Sequence, residues 1–212
     1  MRAFLLLGLL VLAACARPMT SGEVAFAETV FGPSLDTSKV RVVRGLGLAP
    51  VGRARIAEVT TLTGTDQACV RTPQPRDPQP PPAFAFRNNV HMMSRIYAAD
   101  HSLGWPDAVR YPQALIFAHE LTHVWQWQNR ATTGYSAARA ISESLAVADP
   151  YFAPPGTEDF ADYGFEQQAA LVEDFICFTV ANPDHPRRIE LREILAPVLP
   201  VQSIEDALSR QE

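Results

Sequence analysis

The chain has 212 residues, with 23 Asp+Glu against 18 Lys+Arg, a formal net charge of −5 and 47% hydrophobic residues. The acidic balance excludes nucleic acid as the main partner, and the length and apolar fraction suffice for one ordinary core-bearing domain. Charge is uneven: residues 1–139 hold 14 Lys+Arg and 9 Asp+Glu, residues 140–212 hold 4 and 14, so the C-terminal part favours cations near any site it lines.

The N-terminus reads as a targeting segment. Arg2 supplies a positive charge, Ala3 to Leu12 an apolar run too short to span a bilayer, and Leu12-Ala13-Ala14-Cys15 a small-residue cleavage site ending in cysteine. This site resembles the lipobox of bacterial lipoproteins. That implies a signal peptide at 1–14, a lipidated Cys15 and a single mature domain over 15–212, with Ala16 resembling the sorting to an outer membrane facing the periplasm. The plainer alternative is a secretory signal cleaved near Ala14 or Ala16. Cys69 and Cys177 are then left over, and in an exported chain they invite a disulfide, although their separation leaves the pairing open.

Thr20 and Glu23 form a capping-box pattern that starts a helix, and Gly32-Pro33 ends it. Val40–Val43 is a strand pattern, and a second strand or short helix is expected near 54–60. The proline-rich run from Thr72 to Pro82 fits neither ladder nor helix, so an exposed connector is expected. Ala83–Phe86 and Asn89–Met93 alternate like a hairpin around Arg87-Asn88. His91 reads as a structural strand histidine, and His101 sits in a polar loop with no assigned role.

A helix is expected over 112–129, and it contains His119-Glu120-Leu121-Thr122-His123. Four helical residues advance about 400° and roughly 6 Å, so both imidazoles share one face and can grip one metal ion. Glu120, about 100° round, can reach a water beside that metal without becoming a ligand. Zinc is the expected cofactor and Glu120 the expected acid/base. Trp125 and Trp127 read as packing residues.

Further helices are expected over 136–147, 164–180, 186–195 and 203–210. Catalytic zinc takes three protein ligands and keeps one open position, so a third group must come from elsewhere. Glu166 shares a helix face with Ala169, Ala170, Glu173 and Cys177, and small residues permit close approach to the metal helix. Glu166 is therefore the first choice, with Glu173 and Glu143 in reserve. Tyr163, Tyr135, Arg139 and His185 are candidate oxyanion donors, and Glu173 or Asp174 is a candidate to orient a ligand histidine.

His119-Glu120-x-x-His123 with Glu166-x-x-Ala169 downstream resembles the gluzincin branch of zinc metallopeptidases. More closely, the chain resembles uncharacterised bacterial zinc-peptidase-like domains, some called vgr-related proteins and some encoded near contractile injection systems. That resemblance rests on Met19–Glu23 with Val30-Phe31-Gly32, on Leu35-Asp36 with Val40-Arg41, on His119–Gln126, and on Glu166–Ala169 with Glu173-Asp174-Phe175. It implies ligands His119, His123 and Glu166, a catalytic Glu120, a peptide or protein substrate, and an α+β fold. The expected fold is mainly helical and zincin-like, with a small N-terminal sheet or hairpin packed on the metal helix. The expected function is zinc-dependent peptide hydrolysis; the alternative is a catalytically weak or inactive zinc-binding or partner-binding lipoprotein domain.

Overall fold

The computed structural model describes residues 16–47, 60–62, 66–75, 80–156 and 158–209. The expected signal segment, Cys15, and most of the element expected near 54–60 lie outside the described residues. In chain order the elements are β1 (Ala16–Pro18), α1 (Ser21–Phe31), β2 (Arg41–Arg44), β3 (Thr60–Thr61), β4 (Ala83–Phe86), β5 (Asn89–Met92) and β6 (Arg110–Tyr111). Six helices follow: α2 (Gln113–Gln128), α3 (Arg130–Thr133), α4 (Ala137–Ala146), α5 (Phe165–Ala181), α6 (Pro186–Leu195) and α7 (Val201–Leu208). The α+β class is as expected. Among the described residues no helix is long and apolar enough to cross a membrane.

A four-stranded sheet runs in the order β1-β2-β5-β4, and β3 pairs with β6 in a separate two-stranded ladder. β2 and β5 are parallel, with Val42 opposite Val90, while β4 and β5 form the expected hairpin, with Ala85 opposite Val90. Strand alternation sends Val42, Val90 and Met92 into the core, where Phe117, Leu121 and Val124 of α2 are also fully buried. The opposite face of the hairpin carries Phe84 stacked on His91, whose Nδ1 lies 3.1 Å from the Gly45 carbonyl. His91 is thus structural.

β4 is an outer strand of this sheet. The two-residue turn makes Phe86–Asn89 a hydrogen-bonded pair, and the bond from Met93 N to Pro82 O keeps the same parity. Phe84 and Phe86 therefore spend their backbone groups on β5. Ala83 and Ala85 aim theirs at the open edge.

α2 is buried along nearly its whole length, and Asn129 closes it through its own backbone N–H and side chain. Pro112 sits at the cap rather than at the first helical position. Against α2 lies α5, whose Ala169, Ala170 and Leu171 are fully buried and let the two backbones approach closely. Trp125 is buried and donates to Ser34, and Trp127 packs beneath Arg130, so both tryptophans are packing residues. Cys69 and Cys177 are joined in a disulfide, which settles the pairing that the sequence leaves open.

The N-terminal capping box is present, but Glu23 does more than cap. Fully buried, it accepts from Arg17, from the backbone N–H groups of Thr20 and His101, and faces His101 Nδ1 at 2.7 Å. His101 Nε2 in turn accepts from Ala98 N, which fixes the ring as a core element joining β1, α1 and the 97–101 loop. The loop histidine without an assigned role is thus a buried structural one. Burial alone would raise the Glu23 carboxyl; the bonds from Arg17 and His101 outweigh it and lower the group from its ordinary 4.5 to about 2. A depressed folded-state value stabilises the fold above the unfolded value, and this contribution is lost as pH falls through the folded one. The expected outcome is a loss of up to about 3 kcal/mol between pH 4.5 and pH 2, read by urea unfolding, with a flatter acid limb in Glu23→Gln. Parallel acid limbs in the two proteins would contradict it.

Candidate metal centre

His119 and His123 project from the same face of α2, and Glu166 comes from the first turn of α5, where the helix dipole favours a carboxylate. The Oε2 atom of Glu166 lies 3.2 Å from His119 Nε2 and 3.1 Å from His123 Nε2. Zinc bonds of 2.0–2.2 Å at tetrahedral angles put neighbouring donors about 3.3 Å apart. The spacing matches a zinc donor set. These three residues are also the one group of three or more His, Cys, Asp or Glu among the described residues whose donors converge closely enough to hold a metal ion.

Each imidazole is held from behind in a different way. His123 Nδ1 faces Gln126 Oε1 at 2.9 Å, and an oxygen there requires that nitrogen to donate, leaving the Nε2 lone pair toward Glu166. Gln126 is locked in turn, since its amide donates to Phe165 O and Gln168 Oε1, while Gln168 donates to Phe160 O and Tyr163 O. His119 Nδ1 instead faces Glu173 Oε2 at 3.3 Å, close enough for an ion pair but without the alignment of a hydrogen bond. Arg71 grips Glu173 and Asp174 at 2.6 Å each.

Glu173 therefore stands behind a histidine, outside the converging donors, and Glu143 lies outside them too. Its carboxylate accepts from Phe165 N at the start of α5 and pairs with Arg139.

Glu120 is buried, and its Oε2 has no hydrogen-bond partner. Leaving a buried carboxylate oxygen unsatisfied costs on the order of 1–3 kcal/mol or more, so the position is suited to receive a donor such as a water. Burial, opposed by the two histidines and helped by Glu166 and Glu173, lifts the Glu120 carboxyl to about 7. Burial would lower His119, but Glu166, Glu173 and Glu120 raise it to about 10. His123 is also raised, against burial, chiefly by Glu166. Burial would raise Glu166, yet the two imidazoles hold it well below the carboxylate range. Four acidic side chains, one guanidinium and the two imidazoles meet here.

A cleft of about 810 Å³ leads to these residues. Its walls are the open edge of β4 with Pro80–Pro82 on one side and α4, bearing the exposed Ile141 and Leu145, on the other. Tyr135 lines it beside His123, at 6.4 Å between ring centroids, and burial followed by the Glu166 and Glu120 charges raises its hydroxyl to about 12. Tyr151 lines it beside His119, at 5.7 Å.

The other expected oxyanion donors are elsewhere. Tyr163 donates to Gly156 O, Arg139 is spent on Gly134 O and Glu143, and His185 caps α6 and stacks on Phe178. Arg71 and Tyr151 are absent from the sequence reading, and Gln126 and Gln168 enter it without an assigned role. Of these only Gln126, three residues beyond His123 on the same face, offered a local signal.

No family model matches the chain. Over 168 residues it is 27% identical to the type VI secretion system spike protein VgrG2b of Pseudomonas aeruginosa, a match covering 77% of this chain and 13% of that protein. The solved effector domain of VgrG2b is similar at 22% identity with a TM-score of 0.49, covering 86% of this chain and 83% of that one. The chain thus resembles part of a secretion-system spike protein and spans a small fraction of it.

Gln126→Leu tests the amide network. It leaves His123 Nδ1, Phe165 O and Gln168 Oε1 without partners in the interior, so the expected loss is about 1–3 kcal/mol in urea unfolding. A change within about 0.5 kcal/mol would show that the network does not tie α2 to α5.

Proposed function

We propose that this chain is a zinc-dependent metallopeptidase domain in which His119, His123 and Glu166 hold the metal and Glu120 is the acid/base. The observation that carries the reading is the convergence of both Nε2 atoms on Glu166 Oε2 beside an unpartnered buried Glu120 oxygen, at the base of an open cleft. Zinc bound there supplies Lewis acidity to a scissile carbonyl and acidifies water.

The remaining chemistry belongs to the chain. An extended peptide pairs with the free N–H and C=O groups of Ala83 and Ala85 on β4, which lays its backbone across the mouth of the site. Glu120, with its unpartnered Oε2 beside the histidines, takes the proton of the attacking water and delivers it to the leaving amine. Tyr135, kept neutral by its raised value, donates to the developing oxyanion from the His123 side, and Tyr151 flanks the opposite side.

The similarity to a secretion-system spike protein supports a place among injection-system-associated domains. The Leu12–Cys15 site supports export and a lipid anchor at Cys15, on the periplasmic side of a bacterial outer membrane. β1 enters the sheet at Ala16, so an acylated Cys15 would hold the folded body close to the membrane surface.

The test is cleavage of an unstructured polypeptide by the purified mature domain, with chelation and zinc restoration. Wild-type protein should cleave, stop on chelation and recover with zinc. Glu120→Gln should retain zinc and lose about 10²–10⁴-fold in rate. Cleavage by Glu120→Gln at the wild-type rate would remove Glu120 from its role, and a zinc-loaded wild type that cleaves nothing would favour a binding domain.

A further inference from the structure

We propose that the Cys69–Arg71 segment, stapled to α5 by its disulfide, is a positioning strap: Arg71 holds Glu173 against the Nδ1 side of His119 and so sets the ring that offers Nε2 to the metal. The inference rests on the zinc reading of the site.

One oxygen makes the link. Glu173 Oε2 lies 2.6 Å from Arg71 Nη2 and 3.3 Å from His119 Nδ1. The other side of the guanidinium, Nε, donates to Asp174 Oδ1 at 2.6 Å. A planar guanidinium can serve two adjacent carboxylates at once, which a point-charge ammonium cannot do with the same geometry. Cys177 follows Glu173 by one helical turn on the same face of α5, and Cys69 precedes Arg71 by two residues. The covalent bond and the double ion pair therefore fasten one short segment along one stripe of α5.

The need for such a strap follows from the difference between the two histidines. His123 has its Nδ1 fixed by an amide network inside the core. His119 Nδ1 has no aligned hydrogen bond, and Glu173 is the group that faces it. Glu173 lies next to a second acid, Asp174, and Arg71 is the cation that bridges the two, at 2.6 Å from each. Without Arg71, the adjacent Glu173 and Asp174 carboxylates would lose the cation that holds them in place, and the support behind His119 would slacken. Groups behind a metal-ligating histidine typically matter 10–100-fold in metal affinity.

The test is zinc affinity of the mature chain, measured by competition with a chromophoric chelator, with circular dichroism and thermal melting to verify folding. Arg71→Ala and Glu173→Gln should each weaken zinc binding at least tenfold, and the double variant should bind no more weakly than Glu173→Gln alone. Arg71→Lys should recover only part of the loss, and the paired Cys69→Ser, Cys177→Ser variant should weaken binding in the same direction. A folded Arg71→Ala protein with wild-type affinity, or additive losses in the double variant, would overturn the strap. If Arg71→Ala does not fold, unchanged affinity in Glu173→Gln overturns it instead. Absence of zinc binding in the wild-type protein would defeat the site reading itself, a result distinct from these.

Discussion

The structure turns on one carboxylate oxygen placed between two imidazoles. Glu166 reaches across from the first turn of α5 to both Nε2 atoms of α2, and the two longest helices are aligned around that contact. A carboxylate partly withdrawn from water is stabilised where partners neutralise it, and Glu166 has two. Close approach of the helices is a precondition, and Ala169 and Ala170 provide it by carrying almost no side chain into the interface. Packing and site chemistry are therefore a single constraint on the α2–α5 pair.

Around that contact the protein arranges support from opposite ends. On the His123 side, amides of Gln126 and Gln168 thread between the start of α5 and the 160–163 turn without charge. On the His119 side, charges do the work: Glu173, Arg71 and Asp174 form a chain that ends in a disulfide. A neutral network resists pH and salt, whereas a charged one tunes the basicity of the ring it faces. Far from the site, the Glu23 cluster performs a comparable task for β1, α1 and the 97–101 loop, with a buried acid again satisfied from several sides.

Much of this was legible in the chain itself, for physical reasons. The metal helix announces itself because its donors are spaced four residues apart, and Glu166 because small residues share its face. Capping chemistry located the start of α1 through Thr20 and Glu23. What stayed hidden depends on long-range meetings. Arg71 meets Asp174 across 103 positions, and Cys69 meets Cys177 across 108, with no local pattern to mark either. His101 drew no role from the sequence because its partner, Glu23, is 78 positions away. The parallel pairing of β2 with β5 was equally invisible, since four-residue strands carry too little pattern to specify a neighbour.

The central claim is a cation held by two imidazoles from α2 and one carboxylate from α5. Zinc K-edge X-ray absorption on freshly purified protein tests it most directly. The account predicts about one zinc per chain, coordinated by two imidazole nitrogens and carboxylate oxygen at about 2.0–2.2 Å, with the oxygen contribution reduced in Glu166→Ala. A metal-free protein, a sulfur-coordinated zinc, or a spectrum unchanged by Glu166→Ala would contradict it.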